Sequence, residues 1–182
     1  MREKNPEPGS NEHFSWGACA MQGWRSSMED SHICKKVEMP NKEDYGMLFG
    51  VFDGHGGKEV AEYARDNFKK KFVKTKAFKE SNFERALVDT MLELDKDLKS
   101  KDFALEAGAT ACVVFVTSSL ILCANSGDSR AVLCSKNQAI PLSEDHKPTL
   151  DKERKRIEQA GHFVNEERVD GELALSRALG DH

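Results

Sequence analysis

The order of the hydrophobic patterns along the chain predicts an α+β fold, in which strands and helices occupy separate stretches of sequence. Apolar, strand-like runs lie between residues 14 and 52, helical periodicity follows from 58 to 98, and runs rich in Val, Ile, Leu and Cys return after residue 110. An alternating βαβ protein would interleave these patterns, so sheets covered by helices are expected instead. The 182 residues, 38% of them hydrophobic, are enough for one domain with a sizeable core.

The first predicted elements are three strands that follow a polar beginning. Residues 1–13 contain Pro, Gly and Asn and are expected to be a flexible lead-in. Apolar runs bounded by polar or turn-forming residues then predict strands at Phe14–Met21, at His32–Glu38 and at Tyr45–Phe52.

Two amphipathic helices are predicted next. In both, apolar side chains recur every three or four residues, which marks one buried helical face. The second helix is expected to begin at a capping box formed by Ser81 and Glu84. The apolar stripes comprise Val60, Ala64, Phe68 and Phe72 in the first helix and Phe83, Leu87, Met91, Leu94 and Leu98 in the second.

The second half of the chain predicts short strands and one further helix. Thr110–Thr117 and Leu120–Ala124 flank a pair of serines and so predict a hairpin. Asp170-Gly171 predicts a tight turn, because this dipeptide favours the positive φ angles that such a turn requires. The remaining predicted elements are strands at Ala131–Cys134 and Gln138–Leu142 and a helix at Asp151–Ala160 that Gly161 ends.

Composition and charge exclude several classes of protein. The net charge of −4 offers no broad basic surface for nucleic acid, and no run approaches the ~20 apolar residues of a membrane span. The five cysteines are odd in number, form no CxxC pair and mostly lie in apolar runs, which favours free buried thiols in a reducing compartment over disulfides or a zinc site. The expected location is therefore the cytoplasm, the nucleus or both.

Residues suited to catalysis cluster where the third strand is predicted to give way to the first helix, in the segment VFDGHGG. Asp53 offers the hard oxygen ligands that Mg²⁺ and Mn²⁺ prefer, and Gly54 lets a backbone carbonyl approach a metal closely. His55 can transfer a proton near neutral pH. The alternative for this segment is an ordinary Asp-Gly turn with a surface histidine.

A second candidate segment is MQGWRSSMED, in which Arg25 stands four residues before the paired acids Glu29 and Asp30. Arginine binds phosphate in a bidentate manner, and the two carboxylates are suited to holding metal-bound waters. The alternative is a solvated loop with a local ion pair. Two further segments, NSGDSR and LALSRALGD, complete an ordered set.

Taken in order, the segments MQGWRSSMED, VFDGHGG, GATACVV, NSGDSRAVLC, EDHKP and VDGELALSRALGD resemble the metal-dependent protein Ser/Thr phosphatases of type 2C. The resemblance extends from about Phe14 to the last residue, so residues 14–182 are expected to form the N-terminal portion of such a catalytic domain. It implies a four-layer α-β-β-α sandwich that hydrolyses phosphoserine and phosphothreonine in phosphoprotein substrates by means of a metal-bridging water.

The resemblance also implies roles for individual residues around two Mn²⁺ or Mg²⁺ ions. Asp53 matches the carboxylate that bridges both metals, and Gly54 matches the backbone carbonyl that binds one of them. Glu29 and Asp30 match positions that act largely through bound waters, and Asp128 matches a position near an additional, weaker metal.

Three positions match groups that act on the substrate or support the site. Arg25 matches the residue that grips the substrate phosphate, and His55 matches the general acid that protonates the departing alkoxide. Thr110 matches a supporting polar group, with an ordinary strand threonine as an equal alternative.

The chain departs from the family pattern near its C-terminus. The catalytic domain of the family continues past the ALSRALGD segment and supplies two more aspartates to the metal centre, whereas Asp145, Asp151 and Asp170 match positions that are not ligands. The sandwich is therefore expected to be incomplete at its C-terminus, as in a fragment or a truncated gene product. The alternative is a partial, inactive phosphatase-like module that binds or regulates phosphoproteins without turnover.

A remote alternative is an enzyme that uses a cysteine nucleophile. Cys19 and Arg25 have the C-x5-R spacing of thiolate phosphatases, in which the cysteine attacks phosphorus while the arginine holds the phosphate. Only one glycine lies between them, and the bulky Met21, Gln22 and Trp24 are poorly suited to a phosphate-binding loop.

Overall fold

The structure, a computed structural model, describes residues 3–41 and 44–182 and contains a four-stranded antiparallel sheet covered by helices. Among the helices in the described part of the chain, none is long and apolar enough to cross a membrane. The strands are β1 Asn5–Ser10, β2 Ser15–Ala20, β3 Ser31–Val37, β4 Gly46–Phe52, β5 Gly54–His55, β6 Gly108–Ala109, β7 Ala111–Thr117, β8 Ile121–Ser126, β9 Val132–Ser135, β10 Gln138–Pro141, β11 Val164–Asn165, β12 Arg168–Val169 and β13 Leu179–Gly180. The helices are α1 Glu59–Phe72, α2 Lys76–Lys79, α3 Phe83–Leu98 and α4 Asp151–Gln159, with a 3-10 turn at Asp102–Ala104.

The main core lies between the sheet, in the order β3-β4-β7-β8, and helices α1 and α3. Side chains of β4 alternate between the two faces, so Phe52 is fully buried while Val51 is 49% exposed. Phe52 packs against Phe68 with ring centroids 6.2 Å apart, and Phe72 packs against Phe115 at 4.9 Å. The predicted α+β class and both helical stripes are confirmed, and of the four expected layers the described residues form a helical layer and the sheet beneath it.

The predicted turns in the second half of the chain are also present. β7 and β8 form the antiparallel hairpin expected around the two serines. Asp170 and Gly171 have φ angles of 52° and 79°, and Val169 forms a β-bridge with Leu173 across them. Gly161 follows α4 with a φ of 89°, as expected for a residue that ends a helix.

The prediction of a flexible lead-in is wrong for residues 5–10, which form β1 and pair antiparallel with β2. The two prolines of β1 are compatible with this pairing because an edge strand can lack an N–H without breaking an interior ladder. The hairpin is held by aromatic contacts, since the rings of Phe14 and Trp16 lie 6.4 and 6.1 Å from that of Phe49. Residues 1 and 2 of the predicted lead-in lie outside the described residues.

The start of α3 differs from the predicted capping box. The N-cap is Asn82, not Ser81, and its side-chain oxygen accepts a hydrogen bond from the Arg85 N–H at 3.2 Å. Ser81 adopts a left-handed φ of 59° in the link from the short helix α2. A helix of four residues is too short to reveal itself by periodicity, so the sequence pattern did not predict α2.

A small sheet in the order β13-β6-β5 connects distant parts of the chain beside the main core. β6 pairs antiparallel with both neighbours, so Gly54 and Leu179 are each in register with Ala109. This pairing brings the segment after β4 close to residues 179–181.

Helix α4 is attached to the chain before β13 by a buried carboxylate. Glu153 is only 1% exposed and accepts hydrogen bonds from Arg177 Nε and Nη2, both at 2.9 Å, and from Ser176 Oγ at 2.9 Å. Arg156 adds a third basic contact at 3.0 Å. Burial raises the pKa of Glu153, but these hydrogen bonds outweigh it and lower the pKa from 4.5 to about 2.

Replacing Glu153 by Gln is therefore expected to lower the free energy of unfolding by about 2 kcal/mol at neutral pH, because charge-assisted hydrogen bonds are lost. A depressed carboxyl pKa stabilises the fold above the unfolded-state pKa, and that stabilisation is lost as pH falls through the folded-state pKa of about 2. Urea unfolding of the wild type and Glu153→Gln should thus converge as pH falls from about 5 toward 2. Glu158→Gln, on the exposed side of α4, is the control, and a constant difference across this pH range would contradict the assignment.

Candidate active site

A cavity of about 230 Å³ opens where the loop between β2 and β3 approaches the end of β4. β4 ends at Phe52, so Asp53 is the first residue beyond the buried sheet, and β5 begins directly after it. The cavity brings together most of the site residues predicted from sequence. Its lining residues are Met21, Gln22, Arg25, Ser27, Met28, Glu29, Asp30, Asp53 and Gly54.

The backbone of Asp53 is held on both sides by Thr110. The Asp53 N–H donates to Thr110 Oγ1 at 3.0 Å, and the Thr110 N–H donates to the Asp53 carbonyl at 2.9 Å. Thr110 is 1% exposed, and its hydroxyl also contacts Ser129 Oγ at 2.7 Å. Because Ser129 follows Asp128, this chain of hydrogen bonds connects the loops that carry the two aspartates. Thr110 was among the residues predicted from the sequence, whereas Ser129 was not.

Negative charge accumulates around Asp53. Partial burial raises the pKa of its carboxyl group, and the nearby carboxylates of Asp30 and Asp128 raise it further. A hydrogen bond to Asp30 contributes in the same direction, while His55 opposes it. Carboxylates gathered in this way repel one another, and a bound cation would relieve that repulsion.

Position 54 requires glycine, because a side chain there would clash with neighbouring backbone atoms. A Cβ atom added there would lie 2.5 Å from the backbone oxygen of Glu29 and 3.0 Å from that of Gly57. The absence of a side chain therefore permits the β2–β3 loop to approach the segment after Asp53. The backbone of Gly54 is buried and pairs with Ala109 in the small sheet.

His55 contacts Asp181, a residue that sequence analysis did not single out. Nε2 lies 2.8 Å from Oδ1 and 2.9 Å from Oδ2, and since an ionised carboxylate only accepts hydrogen bonds, the Nε2–H donates. This hydrogen bond raises the pKa of His55, and partial burial opposes it. The charges of Asp181, Asp53 and Glu29 raise the pKa further, so its net direction is upward.

The position of Asp181 is built into the small sheet. Its backbone has a left-handed φ of 55°, and its N–H donates to the carbonyl of Ala107 at 3.2 Å. A Cβ atom on Gly108 would lie 2.4 Å from Asp181 Oδ2, so the glycine leaves the space that the carboxylate occupies. The two partners are 126 residues apart in sequence, and no local spacing relates them.

Asp128 lies near this site but does not line the cavity. Its Oδ2 accepts a hydrogen bond from Lys147 Nζ. The segment that carries Lys147 is docked on the Asp128 loop, because the Gly127 N–H donates to His146 Nδ1 at 3.1 Å and the His146 N–H donates to the Gly127 carbonyl at 2.9 Å. Asp128 is therefore close enough to raise the pKa of Asp53 but has a cationic partner of its own.

The donor set fits hard divalent ions, because the candidate metal residues Glu29, Asp30, Asp53, Gly54 and Asp128 all offer oxygen. Within residues 3–41 and 44–182, no group of three or more His, Cys, Asp or Glu side chains is already gathered as a coordination cluster.

The cysteine-based alternative receives no support from the geometry. Cys19 is in β2, paired with Pro6, and lines a different cavity from Arg25. All five cysteines are free, and only Cys112 is buried. The predicted free thiols are thus present, although most are less buried than their apolar surroundings suggested.

Comparison with protein families matches residues 14–182 to the family described as protein phosphatase 2C. The chain belongs to this family. A curated phosphatase 2C relative, protein phosphatase 2C homolog 2 of Saccharomyces cerevisiae, is 45% identical over 98% of this chain and 40% of its own length. Probable protein phosphatase 2C 3 of Paramecium tetraurelia is 43% identical over 99% of this chain and 63% of its own length. The chain thus spans only part of these phosphatase 2C relatives.

Solved structures agree with the fold expected of a phosphatase 2C chain. A C. elegans sex determining protein matches with a TM-score of 0.79 at 27% identity, over 99% of this chain and 44% of that protein's chain. A phosphatase from a pathogenic strain of Toxoplasma gondii matches with a TM-score of 0.69 at 26% identity, over 87% of this chain and 62% of its own. The fold class predicted from the phosphatase 2C resemblance is therefore confirmed.

Proposed function

We propose that this protein is a metal-dependent phosphatase that hydrolyses phosphoserine and phosphothreonine in phosphoprotein substrates. One observation carries the proposal: an exposed arginine and three carboxylates share a single small cavity. Membership of the phosphatase 2C family supports the same reaction. An intracellular location is part of the proposal, supported by the free cysteines.

Arg25 would bind the substrate phosphate at the edge of the cavity, because a planar guanidinium matches two phosphate oxygens at once. Asp53, the Gly54 carbonyl and, through waters, Glu29 and Asp30 would hold Mn²⁺ or Mg²⁺. Such ions supply a water of lowered pKa and neutralise charge on the phosphoryl group. Thr110 would keep Asp53 in place through its two backbone hydrogen bonds.

His55 would donate a proton to the departing serine or threonine oxygen. His55 lies outside the cavity lining, and because Asp181 engages its Nε2, Nδ1 would be the nitrogen that serves the leaving group. The Asp181 carboxylate would orient the ring and stabilise the charged imidazolium, as a carboxylate partner of a catalytic histidine does in other enzymes. Asp128 would hold a further, weaker ion only after Lys147 moves away from its carboxylate.

Chelation separates this proposal from the cysteine-based alternative. In this protein, EDTA should reduce hydrolysis of a phosphothreonine peptide to background, and added Mn²⁺ should restore it, because such ions activate the nucleophile. Alkylation by iodoacetamide should leave turnover intact. Activity that survives EDTA and is lost on alkylation would contradict the proposal.

A phosphoprotein-binding module without turnover is the second candidate. The observation that favours it is the lack of a gathered ligand cluster within the described residues. The same assay decides between the two, because the binding module would retain a phosphopeptide, measured by fluorescence anisotropy, without releasing phosphate at any Mn²⁺ concentration.

A further inference from the structure

A tight turn beside the cavity carries two adjacent residues, Trp24 and Arg25. Gly23 has a left-handed φ of 64°, the Arg25 N–H donates to the Gln22 carbonyl at 3.4 Å, and Gln22 Nε2 donates to the Arg25 carbonyl at 2.8 Å. The turn is therefore closed by one backbone and one side-chain hydrogen bond, which constrain the backbone at Trp24 and Arg25.

Trp24 is the most exposed large apolar side chain in the described part of the chain, at 89%. Its neighbour Met21, which lines the cavity, is 46% exposed, and Met28 lines the same cavity. The other tryptophan, Trp16, packs against Phe49 instead. Trp24 itself does not line the cavity. Tryptophan is enriched at binding hot spots, and methionine adapts to ligands of different shape, so the segment around Arg25 has the composition of a contact surface.

We propose that Trp24 and Met21 form a subsite for an apolar side chain next to the phosphorylated residue of the substrate. The inference rests on the proposed function, because it takes Arg25 as the group that binds the phosphate. Met21 lines the same cavity as Arg25, and Trp24 directly precedes Arg25 in the turn, so both apolar residues belong to the segment that would bind the phosphate.

The chemistry of this edge favours an apolar neighbour over a charged one. The carboxylates Glu29 and Asp30 lie on the cavity wall, and in the proposed enzyme they face divalent ions instead of the peptide. Trp24 and Met21 offer ring and thioether surface, whose burial against an apolar side chain releases water. A basic neighbour over the Trp24 ring is the competing arrangement, and a preference for Arg over Leu beside the phosphothreonine would reveal it.

The test compares substrates that differ only beside the phosphothreonine. With the full-length protein in Mn²⁺, kcat/KM is measured for peptides carrying Leu, Gly or Arg at the two flanking positions, and for p-nitrophenyl phosphate, which has no flanking residue. The wild type should prefer the Leu peptide to the Gly peptide by about 10-fold, as expected for one apolar contact. Trp24→Ala should abolish this preference, Trp24→Phe should retain most of it, and both should leave p-nitrophenyl phosphate hydrolysis unchanged.

Phe163→Ala provides the matched control, because Phe163 is a 56% exposed aromatic residue that does not line the cavity. Thermal melts of all variants should coincide, since Trp24 contributes little to the core. An unchanged Leu preference in Trp24→Ala, or a wild-type preference for Arg, would overturn the inference while leaving the proposed function in place. Failure of the wild type to hydrolyse any of these substrates would overturn both.

Discussion

Asp53→Asn is expected to abolish binding of divalent ions and to reduce phosphopeptide turnover by more than about 100-fold, a larger effect than the loss of a group outside the coordination sphere. The amide keeps the shape of the side chain and removes the charge that would hold the ions. Isothermal calorimetry with Mn²⁺ and kcat measured at saturating Mn²⁺ would check both parts of this prediction.

The same substitution should not destabilise the protein in the absence of metal. The raised pKa of Asp53 shows that its ionised form is disfavoured beside Asp30 and Asp128, so a neutral amide relieves repulsion. The melting temperature of Asp53→Asn in EDTA should therefore equal or exceed that of the wild type. Asp66→Asn is the matched control, since Asp66 pairs with Arg65 at 2.8 Å on α1. Wild-type Mn²⁺ affinity in Asp53→Asn would remove this residue from the metal site.

His55→Gln is expected to lower kcat by about 10²–10⁴ on phosphothreonine peptides, because a threonine alkoxide leaves poorly without a proton. The effect on p-nitrophenyl phosphate should be much smaller, since p-nitrophenolate leaves without help. Steady-state kinetics with both substrates, at saturating Mn²⁺, measure the ratio of the two losses.

Asp181→Asn should also lower kcat more on the phosphothreonine peptide than on p-nitrophenyl phosphate. The loss of kcat should be smaller than in His55→Gln, because the substitution disturbs the orientation of His55 and leaves the imidazole present. The matched control is His162→Gln: His162 also contacts an aspartate, Asp170, at 2.7 Å, but lies on the exposed link after α4. Equal losses on the two substrates in His55→Gln would contradict the general-acid assignment, whatever the result for Asp181.

The parts of this fold that sequence predicted are those with strong local periodicity. The stripes of α1 and α3 repeat every three or four residues, and burial of the Phe72 side chain follows from that spacing. β1 was missed because Pro and Gly favour loops, while its stability depends on pairing with β2. The predicted N-cap of α3 was wrong by one residue. Ser and Asn both favour the N-cap position, and only the backbone angles distinguish Ser81 from Asn82.

The residues of the candidate site also divide into those that a local sequence pattern predicts and those that it does not. Residues within one segment, such as Asp53 and Gly54, were predicted from their own chemistry and from family resemblance. Their supports lie far away in sequence: Thr110 is 57 residues from Asp53, and Asp181 is 126 residues from His55. No local pattern relates such partners, because tertiary pairing alone brings them together.

The short strand β13 has a consequence for how firmly the site is held. It pairs with β6 through only two residues, yet it carries the backbone that leads directly to Asp181. Two further contacts hold it: Leu179 is only 3% exposed and belongs to the main core, and the Gly180 N–H donates to Asp95 Oδ1 at 3.1 Å. Opening of this pairing would therefore expose core surface, which raises the free energy of local opening well above that of a surface strand. Proton transfer by His55 would then be coupled to the packing of the core, and a substitution that loosens Leu179 would disorient the imidazole without altering any residue of the cavity.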